Sequence, residues 1–511
     1  MTAGLRGSIP DWLRQRASIS PERLALIADG TQLTYAQLEA RVEAAAARLQ
    51  TEDVRPGDLV ALLAQNGAPY VVAVHAIARI GAVLLPLNLR LAPAELAWQL
   101  KDAAAHRLLH DEAHHETALA LRGEAPPLHL ISLDKLTAAD SPSPPTPRPE
   151  ALEGGRGPGG GAFDLASLHS VLYTSGTTGR PKGAVLTYGN HLWSATASAF
   201  NLGLQPDDRW LACLPLFHVG GLSILLRSVI YGTIAVVHAG FDAARVNAAI
   251  DNEGVTIVSV VANMLQRLLD ERADRPYPPT LRCVLLGGGP APEALLRRCA
   301  ALGVPVVQTY GLTETASQIA TLAPEDALRK LGSAGKPLFG SELRIVSDDG
   351  AGCPPGVAGE IVVRGPTVTP GYLNRPSETA ATIRDGWLHT GDLGHLDSEG
   401  YLYVLDRRDD LIVSGGENVY PAEIEAVLHS HPDVLEAGVY AVADARWGKS
   451  PAAIVVLRAG ASVDAETLIA FCRQRLAAYK TPCRIDFAGS LPRNAAGKLL
   501  RRELHTASTQ D

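Results

Sequence analysis

The densest phosphate-binding chemistry in the chain lies in Val171-Leu-Tyr-Thr-Ser-Gly-Thr-Thr-Gly-Arg-Pro-Lys182-Gly. The hydroxyls of Thr174, Ser175, Thr177 and Thr178 and the glycines Gly176 and Gly179 lead into Lys182. Glycines let backbone N–H groups approach an anion, hydroxyls donate to phosphate oxygens, and the lysine adds a compact positive charge. The GxxxxGK[ST] spacing of a Walker loop is absent, and residues 183–187 read as a strand where that loop needs a helix. A plain surface turn is the alternative, but six such residues before Pro-Lys argue against it. Farther on, Tyr310-Gly-Leu-Thr-Glu314 groups an aromatic ring, a hydroxyl and a carboxylate, and Thr390-Gly-Asp392 offers a second carboxylate. Pro492-Arg-Asn-Ala-Ala-Gly-Lys498 sets a lysine in a glycine-containing loop. Singly, each has a bland reading: core packing for Tyr310, a helix-start carboxylate for Glu314, a turn for Asp392, a solvated lysine for Lys498.

These groups need elements to hold them. Residues 35–49 predict an Ala-rich helix, 59–63 a buried strand, 70–89 a buried helix running into a strand, and 92–100 another helix with Pro93 in its first turn. Residues 141–161 are so rich in Pro and Gly that a mobile surface loop is expected. Inside it, GPGGGA echoes a dinucleotide fingerprint, but no strand precedes it and Pro158 interrupts it. Strand–helix alternation then resumes to about residue 345. One unit runs from a strand at 281–286 through Gly287-Gly288-Gly289-Pro290 and a helix at 293–302 to a strand at 304–308. Such units build parallel sheets that bind ligands at the carboxyl ends of their strands. Short strands between Gly/Pro turns suggest a β-rich lobe over 341–405, and Pro421 and Asp464 each start a helix beyond it. The expected class is therefore α/β: a large multi-lobed N-terminal domain over 1–405 and a small α+β C-terminal domain over 411–511.

Composition narrows the function. The 511 residues exceed one hydrophobic core, and 46 basic against 54 acidic side chains give a net charge of −8. That balance offers no electrostatic case for nucleic acid or an anionic membrane. The first residues lack the apolar core of a signal peptide, and 70–89 is too polar to span a bilayer. The six cysteines form no CxxC pair, so they read as small buried residues in a reducing compartment. A cytoplasmic protein is expected.

The segment 171–183 resembles the phosphate loop of the adenylate-forming superfamily, which contains acyl-CoA synthetases, peptide-synthetase adenylation domains and luciferases. Tyr310-Gly-Leu-Thr-Glu314, Thr390-Gly-Asp392-Leu, Asp406-Arg-Arg-Asp-Asp410, Ser414-Gly-Gly-Glu-Asn and Pro492–Lys498 follow in that family's order. The resemblance implies an enzyme that adenylates a carboxylic acid with ATP and Mg²⁺, releases pyrophosphate, and passes the acyl group to coenzyme A. It implies that Thr174, Ser175, Gly176, Thr177, Thr178, Gly179 and Lys182 hold phosphate, and that adenine stacks between Tyr310 and Gly288-Gly289-Pro290. Thr313 would contact the α-phosphate, Glu314 the metal, and Asp392 and Arg407 the ribose. Lys498 would bridge the substrate carboxylate and the α-phosphate. The resemblance further implies a hinge at 406–410, with Asp409 at the hinge position, a mobile C-terminal domain that rotates between the two steps, and Gly415-Gly416 at the pantetheine tunnel. Residue 406 departs from the pattern, where glycine is usual.

Residues 186–232, together with 314–324 and 332–338, are more particular. They resemble the menaquinone-pathway branch of the acid–CoA ligases, which implies 2-succinylbenzoate, an aromatic dicarboxylic acid, as substrate. One carboxylate reacts and the other must be held, and an unpaired carboxylate is costly to bury. Arg227, in the apolar run 221–230, is one candidate counter-charge, and a snorkelling arginine is the equal alternative. His218 would orient the acyl group, unless it is a satisfied core histidine, and Ser317 and Gln318 could add donors. A ligase for another aryl or fatty acid, which would want a neutral pocket, is the competing reading. A catalytically inactive nucleotide-binding relative is the reading from another class.

Overall fold

The computed structural model describes residues 7–124, 127–138, 162–174, 181–273, 275–289, 291–407, 410–414, 417–444, 447–494 and 499–504. The Pro/Gly-rich stretch 141–161, the loop 175–180, Pro290, Asp409, Gly415, Gly416 and Lys498 lie outside the described residues.

A six-stranded sheet carries, edge to edge, Lys182–Thr187, Leu168–Thr174, Val83–Pro86, Leu59–Leu63, Arg107–His110 and His129–Ser132. A nine-stranded sheet contains the parallel run Val306–Tyr310, Cys283–Leu286, Ile257–Val260, Arg209–Ala212, Ile234–Val237 and Leu24–Ala28. The strands Ile234–Val237, Ile257–Val260 and Cys283–Leu286 are buried at every residue, as parallel strands covered on both faces must be. The two sheets share one core, with Leu62 and Leu172 from the first and Leu26 and Val237 from the second packed with Ile77, Leu222 and Leu225.

The predicted helices form over Tyr35–Thr51, Ala68–Arg79 and Pro93–Asp102, and the strand leading to the first glycine turn is Cys283–Leu286. One boundary differs usefully. The strand expected at 304–308 runs instead from Val306 to Tyr310, because Val304 still donates its N–H to the Cys299 carbonyl, 2.9 Å away, closing the preceding helix. Tyr310 is thus the last residue of a strand.

The expected β-rich lobe is a five-stranded sheet with Glu342–Val346, Gly359–Arg364, Trp387–Leu396, Ile383–Arg384 and Leu402–Arg407. Farther along, Val434–Asp444, Gly448–Leu457 and Ile485–Phe487 form a separate three-stranded sheet. Helices Pro421–His429 and Ala465–Arg473 pack on it through Ile424, Leu428, Leu468 and Cys472, which belong to a core of their own. Asp464 caps the second helix through the Thr467 N–H, as expected. Arg501 joins Glu425 at 2.6 Å and Asp410 at 3.0 Å, fastening the last residue of the expected hinge to this sheet's first helix. No described helix is long and apolar enough to cross a membrane. The cysteines are free thiols, but Cys483 is exposed and Cys353 partly so, which corrects the expectation that all are buried.

Candidate active site

The phosphate segment is a hairpin. Thr174 and Lys182 are cross-strand partners at the facing ends of the antiparallel strands Leu168–Thr174 and Lys182–Thr187. The second strand turns at once into helix Tyr188–Leu202, where Thr187 and Asn190 form a reciprocal cap.

Tyr310 and the glycine turn come together because their strands are parallel neighbours, with Leu286 opposite Gln308. Two residues farther on, Gly288 reaches the level of Tyr310 at the carboxyl end of the sheet. Gly288 has φ +82°, and Gly288 and Gly289 are both exposed, leaving a thin backbone edge there. The Tyr310 hydroxyl donates to Asp392 Oδ2 at 2.7 Å. Asp392 is buried, donates its N–H to Thr390 Oγ1, and pairs in register with Arg407. An aromatic face, a glycine edge and a buried carboxylate therefore converge.

After Tyr310 the chain bends sharply. A Cβ at Gly311 would lie 1.6 Å from the Ser317 carbonyl oxygen, so only glycine fits. Ala316 and Ser317 take positive φ values of 51° and 96°. This bend sets Thr313 and Glu314, both partly buried, on a short 3₁₀ turn over Thr313–Thr315. Glu314 Oε1 accepts from the Tyr372 hydroxyl at 2.9 Å, and the Lys182 ammonium lies 5.4 Å from the centre of the Tyr372 ring. Tyr372 thus joins two expected site residues. Periodicity gave it no signal, since its role depends on a bridge between Ala184 and Tyr372 that only the fold creates. Among the described residues no three His, Cys, Asp or Glu side chains could hold a metal together. A single carboxylate beside phosphate oxygens and water fits the way Mg²⁺ is usually held.

Among the residues expected to hold the acid, Arg227 and Gln318 are more deeply buried. Arg227 sits on helix Val219–Tyr231 and is 2% exposed, so the snorkelling alternative fails. Its Nη2 donates to Ser194 Oγ at 3.0 Å, and its guanidinium lies 5.5 Å from the Trp210 ring centre. Nε has no partner, and no carboxylate among the described residues reaches ion-pair distance. Burial depresses its pKa, yet an arginine at neutral pH stays charged. Ser194 passes the bond on to the Ala316 carbonyl at 2.6 Å, beside Ser317 and Gln318. Gln318 is 2% exposed and neither end of its amide has a partner. Ser194 and Trp210 lie within the distinctive segment 186–232 but are otherwise unmarked in the sequence.

His218 stands at the N-cap of the Arg227 helix, which turns back so closely that a Cβ at Gly221 would sit 2.4 Å from the Pro215 carbonyl oxygen. Its Nε2 is buried without a partner, so the satisfied-histidine alternative fails as well. Burial first, and Arg90 second, push its pKa down to about 4, so it is neutral at physiological pH.

The α/β fold, with a large N-terminal domain and a small C-terminal one, and the arrangement of Tyr310, the glycine turn and Asp392 are those expected of an AMP-binding enzyme. The description "AMP-binding enzyme" matches residues 13–373 and "AMP-binding enzyme C-terminal domain" residues 423–498, and the chain belongs to this family. It is 53% identical over 498 residues to the 2-succinylbenzoate–CoA ligase of Geobacillus kaustophilus, covering 97% of each chain. Its fold matches the o-succinylbenzoate CoA synthetase of Bacillus subtilis in complex with the acyl-adenylate intermediate OSB-AMP, with TM-score 0.89, 46% identity and 98% of each chain covered. The same Bacillus enzyme in complex with ATP and magnesium ion also matches at TM-score 0.89, with 45% identity, 98% of this chain and 100% of the other.

Proposed function

We propose that the protein is an ATP-dependent acid–CoA ligase that converts 2-succinylbenzoate into 2-succinylbenzoyl-CoA for menaquinone biosynthesis. The succinyl carboxylate, already ionised, attacks the α-phosphorus of ATP in line. The new acyl–phosphate bond forms as pyrophosphate leaves, and the coenzyme A thiol then displaces AMP. No general base is needed in the first step, so catalysis is positioning and charge neutralisation. Tyr310 and Gly288-Gly289-Pro290 hold adenine, Asp392 and Arg407 the ribose, and Thr174–Gly179, Lys182 and Thr313 the phosphates. Glu314 would hold Mg²⁺, which neutralises phosphate charge when bound. Lys498 pulls the reacting carboxylate and α-phosphate together. The C-terminal domain, 411–511, then turns about Asp409 and brings Gly415-Gly416 to the pantetheine.

The observation that carries the choice of acid is Arg227, a fully buried guanidinium with no carboxylate of the protein beside it. A ligand carboxylate would pair with it, and Ser317, Gln318 and His218 supply further polar atoms. A neutral aryl or fatty acid would leave that charge stranded. Retention of Lys182, Glu314, Asp392 and Lys498 together argues against an inactive relative. ATP and coenzyme A as substrates, with six unpaired thiols among the described residues, support a cytoplasmic location. Thioester formation with 2-succinylbenzoate, benzoate and a fatty acid tests the reading. Turnover should require ATP and favour 2-succinylbenzoate, and a preference for either other acid would defeat it.

A further inference from the structure

Residues 369–373 form a strap between the phosphate hairpin and Glu314. Val185 donates its N–H to the Gly371 carbonyl at 3.0 Å, and Leu373 donates to Gly183 at 2.8 Å. Thr369 donates its N–H to the Glu314 carbonyl at 2.8 Å, while its hydroxyl serves Val185 and Gly371. The strap is itself fixed. Gly371 has φ +147°, a Cβ there would meet Thr379 Cγ2 at 2.5 Å, and the Thr379 hydroxyl accepts the Tyr372 N–H at 2.9 Å. Tyr372 therefore has little freedom.

Resting on the reading of Glu314 as the magnesium carboxylate, we propose that Tyr372 is a positioning residue that sets both charges of the metal–triphosphate site at once. Its hydroxyl holds Glu314 Oε1 at 2.9 Å, which leaves Oε2 to face a cation and keeps the carboxylate in one rotamer. Its ring carries the Lys182 ammonium 5.4 Å from the centroid, which keeps that cation from swinging onto Glu314 and cancelling both charges. One rigid side chain thus separates a phosphate-binding cation from a metal-binding anion while backbone bonds fix each to the same strap. Ligand-orienting hydrogen bonds of this kind commonly govern metal affinity.

The two functions of the side chain separate by substitution. Calorimetric titration of the full-length protein with ATP, with MgCl2 or with EDTA and no acid present, reads binding without turnover. Tyr372→Phe keeps the ring and loses the bond, so the Kd for ATP with magnesium should rise about tenfold, with the value in EDTA unchanged. Tyr372→Leu should weaken binding in EDTA as well, because Lys182 loses its aromatic seat. Glu314→Gln is the control. If it abolishes the gain from magnesium while Tyr372→Phe binds like the parent, the positioning role is overturned and the metal carboxylate stands. If Glu314→Gln leaves that gain intact, the reading of Glu314 fails and the proposal with it. An unaltered thermal midpoint in Tyr372→Phe, beside the weakened magnesium-dependent binding, separates positioning from a loss of structure.

Discussion

On the proposed reading, the nucleotide side and the acid side of the site solve opposite problems. On the nucleotide side the polar groups satisfy one another, partly exposed apart from the buried Asp392: Tyr310 bonds Asp392, Tyr372 bonds Glu314, and Lys182 rests on an aromatic ring. On the acid side the polar groups are buried and short of partners: Arg227 Nε, both ends of the Gln318 amide, and His218 Nε2. A buried polar atom without a partner costs on the order of 1–3 kcal/mol. The first site waits in water for a highly charged ligand. The second keeps a standing cost that a polar, charged ligand would offset, and on the proposed reading specificity for the acid would arise there.

Substitutions sharpen this contrast. The largest effect falls on chemistry itself: Lys498→Ala should slow adenylate formation by about a thousandfold while sparing thioester formation from supplied acyl-adenylate, as read by single-turnover assays of each half-reaction. Equal loss in both halves would remove the division of labour between the two steps. A smaller loss is expected where the nucleotide side satisfies itself. Asp392→Ala should raise the KM for ATP about tenfold and leave the KM for the acid unchanged, and a shift in both would blur the boundary between the sites.

The smallest effect is on stability. Burial lowers the pKa of His75, His218 and His238 to about 4 from an ordinary 6.5. The unfolded chain gains these protons as pH drops below about 6.5, whereas the folded one resists until about 4. The stability present above pH 6.5 should therefore be lost progressively across that window, measured as a falling unfolding midpoint. A flat midpoint from pH 6.5 to 4 would mean these rings are not held neutral by burial.

Legibility followed the same divide. The nucleotide-site candidates sit in short ordered motifs, so the resemblance could single out Tyr310, Glu314 and Asp392, and the pattern located the glycine turn and most flanking elements. Boundaries slipped where a helix exit mattered, as at Val304. The acid pocket was less readable because it depends on burial. Arg227 in an apolar run looks the same whether it snorkels or stays inside, and only its depth in the helix Val219–Tyr231 decides. Tyr372 and Ser194 were missed because each acts across a long sequence separation, 58 residues to Glu314 and 33 to Arg227.

The most direct test compares two acids in two proteins. The kcat/KM for 2-succinylbenzoate is measured against 4-oxo-4-phenylbutanoate, the same acid without its ring carboxylate, in the natural chain and in Arg227→Leu. The natural chain should prefer the dicarboxylate by about a hundredfold, and Arg227→Leu should lose that preference while its unfolding midpoint holds or rises. An undiminished preference in Arg227→Leu would contradict the pairing of this buried charge with the acid.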